Sequence, residues 1–189
     1  MSVRQPDPHA PFEAVLLVPG AGDEPTVRYD EPPPILVEGV HCANGHFNDP
    51  ALRYCQLCGI SMAQLTHVTR LGPRPPLGVL LLDDGATFRL DADYVVGRDP
   101  HRDPVVAAGS RALRLSGAVS GVSRRHLRVR LTGWTVSAVD LGSVNGTYLD
   151  LPGEPRPRRL EPGVPAEIRP GTQVTFGTRW LRYESHRNP

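Results

Sequence analysis

Two groups of residues in this chain have the types and spacing to do chemistry. The first is Gly97-Arg98, then Ser123-Arg124-Arg125-His126, then Asp140-Leu141-Gly142-Ser143-Val144-Asn145-Gly146-Thr147. A phosphorylated hydroxyl brings about −1.5 to −2 charge and three acceptor oxygens, so its receptor needs a guanidinium, a short hydroxyl and further donors converging on one point. Arg98, Ser123 and Arg124 are of those types. Asn145 stands in an Asn-Gly turn, and its amide has the two donors and one acceptor that clasp an extended peptide backbone. Blander roles stand beside these. Arg98 could form a surface ion pair with Asp99 or Asp103, worth little, and Asn145 could be only a hairpin turn residue. Ser123 with His126 suggests a hydrolytic pair, but nucleophilic catalysis also requires an acid that orients the histidine and an oxyanion hole. Nothing in the sequence marks that assembly, so the chain is not expected to be an enzyme.

The second group is Cys42-Ala-Asn-Gly-His46 and Cys55-Gln-Leu-Cys58-Gly59, which holds all three cysteines of the chain. A C-x3-H pair and a C-x2-C pair, each on a tight turn, offer four donors with no open position: the pattern of a structural Zn2+ site. The glycine after Cys58 lets the backbone fold back so that amide hydrogens face the thiolates, and Asn44-Gly45 does similar turn work before His46. The alternatives are buried cysteines without metal or one disulfide, the latter poorly served by an odd cysteine count. A redox role for Cys55-x2-Cys58 lacks the surrounding βαβ unit. His41 could stand in for His46, though its place beside Cys42 makes chelation awkward.

The elements that must position these groups follow from the rest of the chain. At 189 residues with a formal charge of +1, it can bury one main core plus a small accessory unit. Residues 1–38 are rich in proline, acids and glycine and read as a flexible arm, with one short apolar run, Ala14-Val-Leu-Leu-Val18. Residues 39–64 form the compact Cys/His unit, 65–76 a stiff linker ending in Gly72-Pro-Arg-Pro-Pro76, 77–185 the main domain and 186–189 a tail. In the main domain, short runs such as Gly78-Val-Leu-Leu-Leu82, Tyr94-Val-Val96, Leu127-Arg-Val-Arg-Leu131 and Trp134-Thr-Val-Ser-Ala-Val139 alternate with Asp-Gly, Asn-Gly and Pro-Gly turns. Many short strands and no helical stripe predict an all-β sandwich or barrel. The start of the chain lacks a signal-like apolar segment and no run reaches the roughly 20 residues of a membrane helix, so a cytoplasmic location is expected. All 21 basic side chains are arginine, suited to forked recognition of phosphate or carboxylate, although a coding bias explains this equally well. The near-neutral balance argues against a strong nucleic-acid binder.

The main domain resembles the forkhead-associated (FHA) family of phosphothreonine-peptide readers. The likeness covers about residues 77 to 185 and rests on four ordered pieces: Val96-Gly97-Arg98, Val122-Ser123-Arg124-Arg125-His126, Asp140 through Thr147, and Pro170-Gly171-Thr-Gln-Val-Thr-Phe176-Gly177. It implies an FHA-type β-sandwich of two twisted antiparallel sheets. It further implies that Arg98 and Ser123 bind the phosphate with help from Arg124, and that Asn145 fixes the peptide backbone beside the phosphothreonine. His126, with Gly97, Gly146 and Thr147, would structure the loops. Val144 occupies a place where many relatives carry threonine, so only its backbone would contribute. Selectivity would come from the rim at 99–110 and 116–122, where Arg102, Arg111 and Arg114 could favour an acidic residue. Residues Leu151 through Gly163 depart from the family pattern and read as a long arginine-bearing loop. The Cys/His stretch resembles a zinc-ribbon-like finger, a likeness that specifies metal and no partner.

The function this implies is an intracellular signalling adaptor that binds phosphothreonine-containing proteins, substrates of a Ser/Thr kinase, with the finger as accessory docking unit. The alternative is a nucleic-acid-binding or assembly protein that acts through the finger, its FHA domain a phosphate-independent contact module. Thr26, flanked by acids in the arm, is either an unmodified linker residue or, once phosphorylated, a tethered ligand for the pocket.

Overall fold

The computed structural model describes residues 34–62, 68–117 and 119–185. The apolar run at 14–18, Thr26, the first part of the arm and the tail at 186–189 lie outside the described residues. The described strands, in chain order, are β1 (Leu36–His41), β2 (Phe47–Asn48), β3 (Arg70–Pro73), β4 (Val79–Leu82), β5 (Thr87–Arg89), β6 (Tyr94–Gly97), β7 (Arg111–Arg114), β8 (Leu127–Thr132) and β9 (Thr135–Asp140). They continue with β10 (Thr147–Asp150), β11 (Arg158–Arg159), β12 (Ala166–Ile168), β13 (Gln173–Phe176) and β14 (Arg179–Glu184). Among the described residues, helix is confined to a 3-10 turn at Pro100–Arg102 and one turn, α1, at Pro104–Ala107.

From residue 77 onward the chain forms the expected all-β sandwich. One sheet has the order β11-β10-β13-β14-β4-β5, the other β12-β9-β8-β6-β7. All pairings in these two sheets are antiparallel except β6 with β7, which run parallel. A parallel neighbour needs a crossover rather than a hairpin, and residues 98–110, with their two short helical turns, supply it. Alternation along the strands puts one face of each sheet in the core: Leu80, Leu82, Val96, Leu113, Leu127, Val129, Leu149, Val174, Phe176 and Leu181 are buried together.

The Cys/His unit is built on β1, which pairs with β2 on one side and β3 on the other. Residues 70–73, part of the stretch read from sequence as a linker, are extended as expected, and their backbone also pairs with residues 36–39. This strand pairing crosses the stretch assigned to the arm and was not legible, because Leu-Gly-Pro has no apolar alternation. The strand glycines have a packing reason: a Cβ on Gly39 would stand 2.3 Å from the ring of Phe47 and one on Gly72 3.0 Å from it. Phe47 in turn meets Trp134 at a centroid distance of 5.5 Å, and the Trp134 indole donates to the Glu38 carbonyl at 2.7 Å. Trp134 lies in the β8–β9 hairpin, so the unit docks on the sandwich at the end opposite the loops that carry Arg98, Ser123 and Asn145.

Candidate functional site

Three loops meet where β6 ends and β8 begins. Gly97 closes β6 against the backbone of the Ser123-Arg124 segment, where an added Cβ would lie 2.2 Å from the Arg124 carbonyl oxygen. Glycine is needed there for close approach alone. The contact is sealed by Arg98 N–H donating to the Ser123 carbonyl at 3.2 Å and Asp99 N–H to the Arg124 carbonyl at 2.9 Å. Arg98 is thereby delivered beside Ser123, and a groove of about 530 Å³ opens between Arg98, Ser123, Arg124, Gly142, Val144 and Asn145.

Side-chain geometry separates the residues that face this groove from those that build it. Arg98 and Arg124 are exposed, and neither makes an ion pair among the described residues. The ion pair open to Arg98 with Asp103 is taken instead by Arg125, at 3.0 Å. Ser123 Oγ accepts from the Val144 amide at 3.2 Å. That contact uses a lone pair and leaves the hydroxyl hydrogen to donate. Asn145 Nδ2 donates to the Gly121 carbonyl at 3.0 Å, leaving its second amide hydrogen and its Oδ1 for another backbone.

His126 is fully buried. Its Nδ1 accepts from the Ser123 amide at 3.1 Å, which makes Nε2 the protonated nitrogen that donates to the Gly146 carbonyl at 3.2 Å. One imidazole thus ties the Ser123 loop to the Asn145 loop, its ring packed 5.5 Å from Phe176. Burial holds its pKa below the usual imidazole range, against the opposing pull of the Gly146 carbonyl and Asp140. Both ring nitrogens are committed to backbone groups, so the Ser123/His126 pair lacks the geometry of a nucleophile and its base.

Asp140 is the organising residue that the sequence reading passed over. It is fully buried; its carboxylate accepts from the Gly142 and Ser143 amides, each at 2.9 Å, from Ser143 Oγ at 2.6 Å and from Thr147 Oγ1 at 2.5 Å. Burial raises its pKa, but the two hydroxyls and two amides outweigh that and hold it below the usual carboxylate range. The Asp-x-Gly-Ser spacing is the local signal that would have found it, since an Asp two residues before a turn glycine caps that turn. Gly146, at φ +78°, follows Asn145 in the same loop.

The rim divides as well. Arg114 lines a neighbouring groove with Arg98, Asp99 and Arg124. Arg111 pairs across the ladder with Tyr94, at the far end of β6, and binds Asp91 at 2.6 Å. It therefore stands away from the loops and takes no part in their rim, a correction to the sequence reading. The arginine-bearing loop after β10 is partly a strand: β11 pairs with β10, and Leu160 is buried with the core.

At the opposite end of the sandwich, the donor atoms of Cys42, His46, Cys55 and Cys58 all lie within 4.8 Å of one another, a group that can hold a metal ion. His46 Nδ1 is 3.6 Å from both Cys42 Sγ and Cys55 Sγ, and Cys42 Sγ is 3.9 Å from Cys58 Sγ. Tetrahedral bonds of ordinary Zn–S and Zn–N length put sulfurs about 3.8 Å apart and sulfur and nitrogen about 3.6 Å apart, so the cluster has the right dimensions. Gly45 and Gly59 take positive φ in the two turns. Burial pushes the Cys55 thiol up, yet the Cys58 and Leu57 amides that face it bring it down to about 6, as a ligating thiolate requires. Buried Asn48 braces the two turns, donating to the His46 carbonyl at 2.7 Å and accepting from the Gln56 amide at 3.0 Å.

Comparison with known proteins bears on the sandwich. No curated protein matches the chain. Among solved structures, the chain is similar to one from work on phosphothreonine-dependent FHA domain interactions, at 27% identity over 57% of this chain and 95% of that one, with a TM-score of 0.41. It is similar to the FhaA FHA domain complexed with the intracellular domain of Rv3910, at 27% identity over 55% and 96% of the two chains, with a TM-score of 0.39. A third is the FHA domain of CT664 from Chlamydia trachomatis, at 25% identity over 57% and 98%, with a TM-score of 0.42. The model of the FHA domain family matches residues 94–177, which takes in the Arg98, Ser123 and Asn145 loops together. The similarity to the FHA domain family thus lies in residues 94–177 of the chain.

Proposed function

We propose that this protein is a phosphothreonine-peptide-binding adaptor and not an enzyme, with Arg98, Ser123 and Arg124 holding the phosphate and Asn145 the peptide backbone. The observation that carries the reading is the Arg98 guanidinium, which makes no ion pair among the described residues, beside Ser123 in an open groove that Asn145 also lines. A dianion there would meet two unpaired cations and a donor hydroxyl, and charge-assisted bonds of this kind are the strong ones. Gly97, His126, Gly146 and Thr147 act behind this surface, fixing the loops before ligand arrives. The phosphothreonine partners are substrates of a Ser/Thr kinase. Arg114 favours an acidic residue near the phosphothreonine.

The Cys42, His46, Cys55 and Cys58 cluster is a structural Zn2+ site in a zinc-ribbon-like finger. Its four protein donors leave no coordination position for a substrate. Next to the C-x2-C turn, Tyr54, Leu57 and Ile60 are exposed, which suits an accessory docking unit. The domain division at about residue 77 and a cytoplasmic location belong to the same reading; no helix among the described residues is long and apolar enough to cross a membrane.

Calorimetric titration of matched threonine and phosphothreonine peptides, drawn from proteins the chain captures from lysate, tests this. Phosphopeptide should bind and its unphosphorylated twin should not, and Arg98→Ala should weaken binding by about 30-fold, the loss of a charge-assisted hydrogen bond to the phosphate. Equal binding of both peptides would leave the phosphate-independent contact module as the better reading.

A further inference from the structure

The segment after β10 departs from the family pattern, and the fold lays one of its arginines, Arg159, against Gly146, the neighbour of groove-lining Asn145, while it lines a second depression with Arg158, Glu161 and Glu167. Strand β11 pairs Arg159 with Tyr148 and Arg158 with Leu149. The next residue, Leu160, donates its amide to the Thr147 carbonyl at 2.8 Å and is buried in the core. The backbone at 159 is therefore fixed, while its side chain is exposed. That side chain runs toward the loops: a Cβ on Gly146 would lie 2.7 Å from Arg159 Nε and 3.0 Å from Nη2. The guanidinium rests against the backbone of the residue that follows Asn145 and whose carbonyl receives the His126 bond. No acidic side chain among the described residues pairs with it, although Glu154 and Glu161 flank it in sequence.

We infer that Arg159 is a specificity-determining residue, which contacts an acidic side chain of the bound peptide on the side of the phosphothreonine held by Asn145. The inference rests on the phosphopeptide reading of the groove. Arg98, Arg124 and Arg114 line the two adjoining grooves around the Ser123-Arg124 segment, and Arg159 adds a cation at the turn that follows Asn145. A guanidinium presents a rigid fork that matches a carboxylate, and here the strand that carries it is held by the β10 ladder and the core. The acidic residue selected through Arg159 therefore differs in position from the one selected through Arg114.

The test uses the whole chain and a set of phosphothreonine peptides with Glu or Gln at each flanking position, titrated by fluorescence anisotropy against wild type, Arg159→Gln, Arg159→Lys and Arg114→Gln. Wild type should prefer Glu over Gln about three- to fivefold at a position on the Asn145 side, the scale of a rim ion pair, and less at high salt. Arg159→Gln should bring that ratio to about one, Arg159→Lys should keep part of it, and Arg114→Gln should leave it. An unchanged melting temperature certifies each variant as folded. A Glu preference that survives Arg159→Gln overturns the inference alone, as does a wild type that binds phosphopeptide with no such preference. A wild type that ignores the phosphate overturns the groove's reading and this inference with it.

Discussion

The loops between Arg98 and Asn145 and the turns that carry Cys42, His46, Cys55 and Cys58 are both short irregular segments that must be held still, and the molecule holds them by different means. The loops stand on the sandwich core, which runs from Leu77 to Tyr183, and are cross-braced by two buried polar residues, His126 and Asp140. The Cys/His turns stand on a cluster of Val40, Cys42, Cys55 and Met62, two members of which belong to the four-donor group that can hold a metal ion. In the first case the fold exists before any ligand and fixes the groove. In the second the ligand set is half of the core, and too little apolar surface is buried to offset the entropy of ordering the chain. Under the proposed function, one region would bind because it is folded and the other would fold because it binds.

Metal removal breaks this comparison most sharply. Structural zinc sites of this donor set contribute on the order of 10 kcal/mol to folding. A strong chelator, or Cys55→Ser, should therefore unfold residues 36–62 while the sandwich persists. Hydrogen exchange should show lost protection over β1 and β2 with little change in β8 or β13. Trp134 gives a second readout, because its contact with Phe47 and its bond to Glu38 would be lost and its fluorescence shifted. Retained protection over β1 after complete chelation would mean that the four donors are a packed cluster rather than a metal centre.

The same contrast explains what could be read from the sequence. The Cys/His cluster was legible because the spacing that metal chemistry favours also brings its four donors together, and the strands of the sandwich because apolar alternation marks them. Arg98, Ser123 and Asn145 stood out together by side-chain type, and the fold brings them to one groove. Asp140, Asn48 and Arg159 were not assigned roles. Their contacts are not announced by side-chain type alone: Asn48 accepts from the Gln56 amide, Asp140 caps its own turn and takes the Thr147 hydroxyl, and Arg159 rests against Gly146. Arg111 shows the reverse error. Its closeness in sequence to Arg114 suggested a shared rim, but strand geometry carries successive residues apart at about 3.3 Å each, and the parallel pairing of β7 with β6 puts it at Tyr94. The β1–β3 pairing was hidden for a third reason, because strands with glycine at the contact owe their place to Phe47 and not to their own pattern.

A smaller effect sharpens the claim that the loops are fixed in advance. His126→Ala removes a fully buried ring and leaves the Ser123 amide and the Gly146 carbonyl without their partner. Together the cavity and the unpaired groups should cost about 2–4 kcal/mol in urea unfolding. Acid should do part of the same. Because burial lowers the pKa of His126 in the folded protein, the unfolded chain takes up this proton first, so stability is full above about pH 6.5 and falls as pH drops below it. Asp140, also lowered, adds a second loss below about pH 4. Urea midpoints between pH 7 and 5 should fall in wild type and much less in His126→Gln. Stability is the quantity to follow, since the phosphate of a ligand titrates near pH 6 itself.

The smallest effect concerns Val144, which is 86% exposed at the mouth of the groove and touches Ser123 only through its amide. If the groove receives a phosphate, a second hydroxyl beside Arg98 and Ser123 should be useful there, because three phosphate oxygens offer further acceptor sites. Val144→Thr keeps the β-branched shape and the backbone amide, so it changes little except the donor. A single added hydrogen bond to a charged group, reduced by competition with water at an exposed site, should strengthen phosphopeptide binding by about threefold and leave the unphosphorylated peptide unaffected. Calorimetry with the matched pair reads both. An equal gain for both peptides would trace the effect to the peptide backbone, and a loss would mean that the phosphate sits away from residue 144, closer to Arg114 than the Ser123 hydroxyl suggests.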